Sequence, residues 1–302
     1  MPAVKVIKIQ PETTNSIPES QRPVTIGFGS VPGGTGCTTL ACQFAVHAAR
    51  RNLTLAMSID RSGDMVRRLV GDKVLQVDTH WKHPEIPGLR VSYCPPEILT
   101  ETYEEDERGP DARVDILDYL PNISLPRIPD LIVVDLGPGQ TPSFDLDYWV
   151  VPIRDQRSFR SLHEGTYPAG LKGTLFVGNA EDTWRKTRLP SEELLATINA
   201  HARGSARFLS TTVPYSGLLQ RTADESKHIW ELGEDNSVTR LRVERVCNDL
   251  LSIVHREKQA RLLVEEMKRH SAAQPQVPVA QDNPTIADRF AEELAKADIP
   301  IQ

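Results

Sequence analysis

The chain has 302 residues, enough to bury a full core in one large domain or two small ones. Its formal net charge of −6 gives the chain as a whole no electrostatic case for nucleic acid, which leaves a local basic patch as the remaining route to one. Four widely spaced cysteines (Cys37, Cys42, Cys94, Cys247) form no metal or disulfide pattern, the N-terminus carries no charged-then-apolar leader, and no apolar run reaches the roughly 18 residues of a membrane span. A cytoplasmic protein without membrane insertion is expected.

Residues 1–22 carry three prolines and a polar stretch and read as a flexible N-terminal extension. An apolar strand follows at 24–28 and runs into the turn Gly33-Gly34-Thr35-Gly36. Cys37-Thr38-Thr39 then opens a helix of small and apolar residues. Glycines let backbone N–H groups curl around an anion, a helix N-terminus adds partial positive charge, and a hydroxyl can hold Mg²⁺. Such a phosphate-binding loop normally carries a lysine directly before the two threonines, and here that position is Cys37. The architecture points to a nucleotide, and the missing cation to a handicapped enzyme. At a helix N-terminus the Cys37 thiol is expected to have a lowered pKa, and two readings stand for it, a reactive thiol or a small residue filling the loop. A phosphatase nucleophile is not indicated, because Gln43 stands where the arginine six positions on would be.

Further strands are expected at 53–59, 89–94, 131–136, 148–153, 174–177 and 207–213, with helical patterns between them, as in a mostly parallel sheet covered on both faces. His80 and His83 have no further ligand cluster beside them and read as residues of a solvent-exposed loop. An acidic insertion at 101–118 holds eight Asp or Glu against Arg108 and Arg113 and reads as a solvated loop and helix face.

Ser237 precedes a long helix, expected over 238–270. Val243, Val246, Leu250, Ile253, Ala260, Val264 and Met267 recur at steps of three and four, broken only at Glu257, and Leu251, Val254 and Leu263 widen the stripe. The helix is expected to pack this face on the sheet, with a dimerising helix as the alternative. Its eight basic residues (Arg240, Arg242, Arg245, Arg256, Lys258, Arg261, Lys268, Arg269) face five acidic ones, which makes 240–269 the candidate surface for nonspecific DNA. Residues 271–302 read as a linker and a short C-terminal helix or tail, net negative and so unlike a membrane anchor.

Six motifs in this order resemble the ParA/MinD family of deviant-Walker ATPases over roughly residues 23–224. Pro32-Gly33-Gly34-Thr35-Gly36-Cys37-Thr38-Thr39 stands for the family's K-G-G-x-G-K-T-T, and Ile59-Asp60-Arg61-Ser62 for a strand ending in D-x-D. Val134-Asp135-Leu136-Gly137-Pro138-Gly139 matches D-x-x-P-G. Asp147 to Pro152 matches the A-D-x-v-i-v-P strand, Phe176-Val177-Gly178-Asn179 a strand whose Asn faces adenine, and Val213-Pro214-Tyr215 the I-P-y turn.

The resemblance implies a three-layer α/β P-loop NTPase fold of the SIMIBI type over 23–270, with a mostly parallel twisted sheet, helices on both faces and a long C-terminal helix. It implies nucleotide-binding residues Gly33, Gly34, Thr35, Gly36, Cys37, Thr38, Thr39, Asn179 and Pro214, with Mg²⁺ held by Thr38 and Asp135. ATP or ADP with Mg²⁺ is the implied cofactor. A homodimer, a protein partner of a DNA-partitioning or positioning system, and a cytoplasmic, nucleoid-associated location are the implied setting. The departures fall on chemistry. Pro32 takes the place of the lysine that reaches a dimer partner's phosphate, Cys37 that of the in-loop lysine, and Ser62 that of the water-orienting acid, leaving Asp60 as the candidate catalytic acid. Phosphoryl transfer depends on positioning and charge neutralisation, so these losses predict weak or absent hydrolysis at about tenfold per 1.4 kcal/mol. The alternatives are an ATPase in which Arg61, Arg67 or Arg68 compensates, a non-nucleotide scaffold, and a small-molecule ligase of the wider superfamily.

Overall fold

The computed structural model describes residues 17–30, 33–71, 75–77, 79–95, 116, 125, 127–138, 145–154, 171–179, 205–214, 216–233 and 237–273. The strands are β1 (Val24–Ser30), β2 (Thr54–Ser58), β3 (His80–Lys82), β4 (Leu89–Tyr93), β5 (Leu131–Pro138), β6 (Tyr148–Ile153), β7 (Gly173–Gly178) and β8 (Ser205–Phe208). They form one sheet in the order β3-β4-β2-β5-β1-β6-β7-β8, parallel throughout except for β3, which runs antiparallel to β4. The α-helices among the described residues are α1 (Cys37–Ala49), α2 (Asp64–Val70), α3 (Gly217–Asp224) and α4 (Val238–Ala273).

The central strands are mostly apolar, with only small polar residues such as Thr25 and Thr54 among them, because both of their faces are buried. Ile26, Phe28 and Val133 share one core with α1, α2 and α4, while Leu55, Met57, Ile132 and Val134 join Ile116, Leu146 and Leu171 in a second core. The small residues Ala41, Cys42, Ala45 and Ala48 bring α1 close to the sheet, and Phe44 packs on Phe28 with ring centroids 5.7 Å apart.

Three differences from expectation have physical causes. The edge strand β3 is three residues long and too short to show a period. The last strand sits at 205–208, and Val213, expected within it, forms a separate parallel bridge to Asn179. The stripe on α4 is the third. Ser237 caps the helix by accepting from the Arg240 N–H at 3.1 Å, and Val243, Val246, Leu250, Ile253 and Val254 are buried. After Arg261 the apolar residues leave the body, with Leu263, Val264 and Met267 exposed at 59%, 40% and 62%.

Glu257, the break in that stripe, is buried in an ion cluster at the N-terminal edge of the sheet. It accepts from Arg261 Nε at 2.9 Å and from Tyr148 Oη at 3.1 Å and pairs with Lys172. Arg261 also reaches Asp147 at 2.5 Å, and Asp147 accepts from the Thr25 N–H at 2.8 Å. Burial alone would raise the Glu257 pKa, but Lys172 and Arg261 outweigh it and hold the carboxyl below its ordinary range. Arg261 is therefore spent on the fold, and Lys258 bonds Asp130 at 3.3 Å, which removes both from the candidate DNA surface.

Strand register delivers the other edge. Phe28 lies beside Asp135, and Asp135 beside Ser58, so the loop after β1, the end of β5 and the segment after β2 emerge together. The carboxyl ends of strands flanking a central strand are where open α/β sheets bind ligands. Pro32, Gly139, Tyr215, most of the acidic insertion and the tail beyond 273 lie outside the described residues.

Candidate phosphate-loop site

A cavity of about 580 Å³ opens at this edge. All of the loop from Gly33 to Thr39 lines it, together with Asn179, Pro214 and Asp60, so the residues expected around a nucleotide are brought into one place. Gly36 ends the loop at φ +92°, and a Cβ there would fall 2.3 Å from Asn179 Nδ2. Only glycine meets both demands. Asn179, expected to face adenine, donates from Nδ2 to the Thr35 carbonyl and holds the loop from the side of β7.

Asp135 lies beneath the cavity rather than on its wall, with 0% exposure, while Thr38 lines the wall above it. Gly137 at φ +71° breaks the β1–β5 register next to it, and a Cβ on Gly137 would stand 3.0 Å from the Asp60 side chain. Neither carboxylate oxygen of Asp135 completes a well-formed hydrogen bond among the described residues. Burial pushes its pKa up to about 7, while the Thr38 hydroxyl pulls the other way and the Asp60 charge adds to the rise. A buried carboxylate whose hydrogen bonding is incomplete, behind a threonine hydroxyl at a glycine loop, suits a hard cation that takes oxygen ligands. The residues fit Mg²⁺.

Cys37 corrects the expected lowered pKa. It opens α1, yet its thiol is buried and pushed up to about 12, with desolvation outweighing the 3.2 Å contact to Thr35 Oγ1. The helix dipole is too weak to ionise a thiol held away from water. The packing reading is supported and the reactive-thiol reading is not.

Of the three candidate compensating arginines, Arg67 pairs with Asp64 on the surface and Arg61 is exposed, whereas Arg68 turns inward. Its Nη1 donates to Thr39 Oγ1 at 2.8 Å, and it lines the cavity. Ser62, in the place of the water-orienting acid, hydrogen-bonds Asp60 and then the Asp64 N–H at 3.2 Å, starting α2. Arg154 also lines the cavity and was not anticipated, although it directly follows β6, whose carboxyl end points here. His83 contradicts the solvent-exposed expectation. It is 7% exposed and its Nδ1 accepts the N–H groups of Glu85 and Ile86, both at 3.2 Å, which folds the turn between β3 and β4. No helix among the described residues is long and apolar enough to cross a membrane.

The chain matches no protein-family model and no curated protein. Solved structures do share its fold. A ParA family ATPase from Chlorobium tepidum superposes with a TM-score of 0.50 at 15% identity, covering 75% of this chain and 98% of that one. An ATP complex of Cyanothece McdA gives 0.52 at 12% identity, with 76% and 97% covered. The MinC:MinD cell division complex of Aquifex aeolicus gives 0.51 at 14%, with 76% and 96% covered. At such identities the likeness establishes the fold, which is ParA/MinD-like.

Proposed function

We propose that the chain is a divergent ParA/MinD-like nucleotide-binding protein that holds ATP or ADP with Mg²⁺ in the phosphate-loop cavity and hydrolyses it weakly or not at all. The observation that carries this reading is the fully buried Asp135 carboxylate behind Thr38, completing no well-formed hydrogen bond among the described residues, beneath a glycine loop that opens a helix. Thr38 and Asp135 would hold the metal, Gly33 to Thr39 would supply backbone donors, and Asn179 and Pro214 would border the base. When bound, Mg²⁺ supplies charge neutralisation on the phosphates.

Weak hydrolysis follows from a neutral Cys37 where a lysine would stand and from Ser62 occupying Asp60. The fold's neighbours suggest the setting, since the proteins that share it include an ATP-bound McdA and a MinD in complex with MinC. A cytoplasmic homodimer serving a DNA-partitioning or positioning system is the corresponding biological reading. Arg245, Arg256 and Lys268 are exposed residues left on α4 for nucleic-acid phosphates.

A second reading is favoured by Arg68, whose guanidinium lies on the loop at Thr39 and could replace part of the missing positive charge. In that reading the protein is an active, slow ATPase. Calorimetric titration of Mg·ATP and Mg·ADP separates the cases. Micromolar affinity that falls on Thr38→Ala supports a nucleotide site, with turnover then tested in Arg68→Ala. No binding at millimolar nucleotide would leave a scaffold.

A further inference from the structure

A second, smaller cavity of about 260 Å³ lies against α1, lined in part by Gln43, His83, Glu85, His228 and Glu231. Three of these converge. One ligand atom each from Glu85, His228 and Glu231 can be chosen so that all lie within 4.8 Å of one another, and His228 Nε2 is 3.1 Å from Glu231 Oε1. The segments bearing them are fixed independently. Gln43 Oε1 accepts from the Ile229 N–H at 2.9 Å and ties the turn after α3 to α1, and Glu231 Oε2 accepts from the His228 N–H at 2.9 Å. Glu85 leaves a turn pinned by His83.

Two features of this cluster are unexplained by the fold. Glu85 and Glu231 bring carboxylate oxygens within 4.8 Å of each other, and like charges so close repel unless a cation lies between them. Lys227, which acts on Glu231, is itself bonded to Glu225 at 3.0 Å. In addition, His228 is 9% exposed and its Nδ1 is buried with no partner among the described residues.

We propose that Glu85, His228 and Glu231 form a binding site for a first-row divalent metal ion, with Zn²⁺ as the probe. One nitrogen and two carboxylate oxygens suit Zn²⁺, whose bonds of about 2.0–2.2 Å need the three groups to close slightly, and the exposed glutamates leave positions for water. The ion would neutralise the paired carboxylates and clamp the turn between β3 and β4 to the turn after α3.

The test is Zn²⁺ titration of the full chain by calorimetry in millimolar Mg²⁺, with metal content measured by mass spectrometry. One Zn²⁺ per chain is expected, with affinity falling by more than about tenfold in Glu85→Gln and in Glu231→Gln. Both glutamates are exposed, so neither change threatens folding. Co²⁺ should give visible absorption that Glu85→Gln alters, a readout that a purely structural hydrogen bond would not move. Zn²⁺ binding unchanged in the Glu85→Gln/Glu231→Gln double variant, or no binding below millimolar Zn²⁺, would overturn the site. Nucleotide titration of the same variants is expected to be unaltered, which separates this site from the phosphate-loop cavity.

Discussion

At the N-terminal edge of the sheet Asp147 is bonded by Thr25, Arg261 and Lys172, and Glu257 pairs with the same Arg261 and Lys172. At the C-terminal edge Asp135 is more deeply buried, yet its oxygens complete no well-formed hydrogen bond among the described residues. The same residue type is thus used in two ways. A buried carboxylate whose lone pairs are met by the chain serves the fold, whereas one left unmet costs stability and is retained where a ligand completes it. The first anchors α4 and residues 22 and 23 to the sheet through Arg261, and the second underlies the phosphate loop.

The largest expected effect breaks the satisfied edge. Asp147→Ala removes one carboxylate partner from Arg261 and from Lys172, leaving Glu257 to both, and should cost about 1–3 kcal/mol in urea unfolding, with Mg·ATP affinity unchanged under native conditions. A neutral substitution would show that the two edges do not differ as described. Next is Asp135→Asn, which should stabilise the nucleotide-free protein by about 1–3 kcal/mol at pH 8. The sign follows from its folded pKa of about 7, raised above the ordinary 3.8. The folded state binds the extra proton, so this group's stabilisation is complete below the ordinary value and is lost as pH rises through the folded one. The gain should therefore vanish near the ordinary pKa, and a gain independent of pH would contradict the raised value.

Arg68→Ala should weaken Mg·ATP by about tenfold, or 1.4 kcal/mol, with little change in unfolding free energy and partial retention in Arg68→Lys. Unchanged affinity would remove Arg68 as the compensating cation. The smallest effect is in acid. Glu257 has a lowered folded pKa, so its contribution is present above the ordinary 4.5 and is lost as pH falls through the folded value. Glu257→Gln should flatten that limb of the stability profile, measured by thermal unfolding across acidic pH.

Much of the frame is legible in the sequence because local signals suffice for it. Apolar-rich runs mark β1, β5 and β6, glycines mark the loop, and periodicity marks α4. Relations between distant residues are not legible. Arg261 looks like one more basic residue on a helix until Asp147, 114 positions away, is brought against it. Glu257 looks like a flaw in a stripe until Lys172 arrives from before β7. Cys37 was misjudged because helix position is local information while burial is not. The overhang of α4 is of the same kind, since a period of 3.6 tells which residues share a face but not where the body beneath it ends.

The most direct measurement is the proton linked to nucleotide binding, obtained by titrating Mg·ATP at pH 7 in two buffers of different ionisation enthalpy. With the Asp135 pKa near 7, a metal that needs the anion should displace about half a proton per site, and Asp135→Asn should abolish that release while leaving weaker binding. Binding with no linked proton, or a release that survives Asp135→Asn, would contradict the role of Asp135 as the unmet ligand beneath the loop.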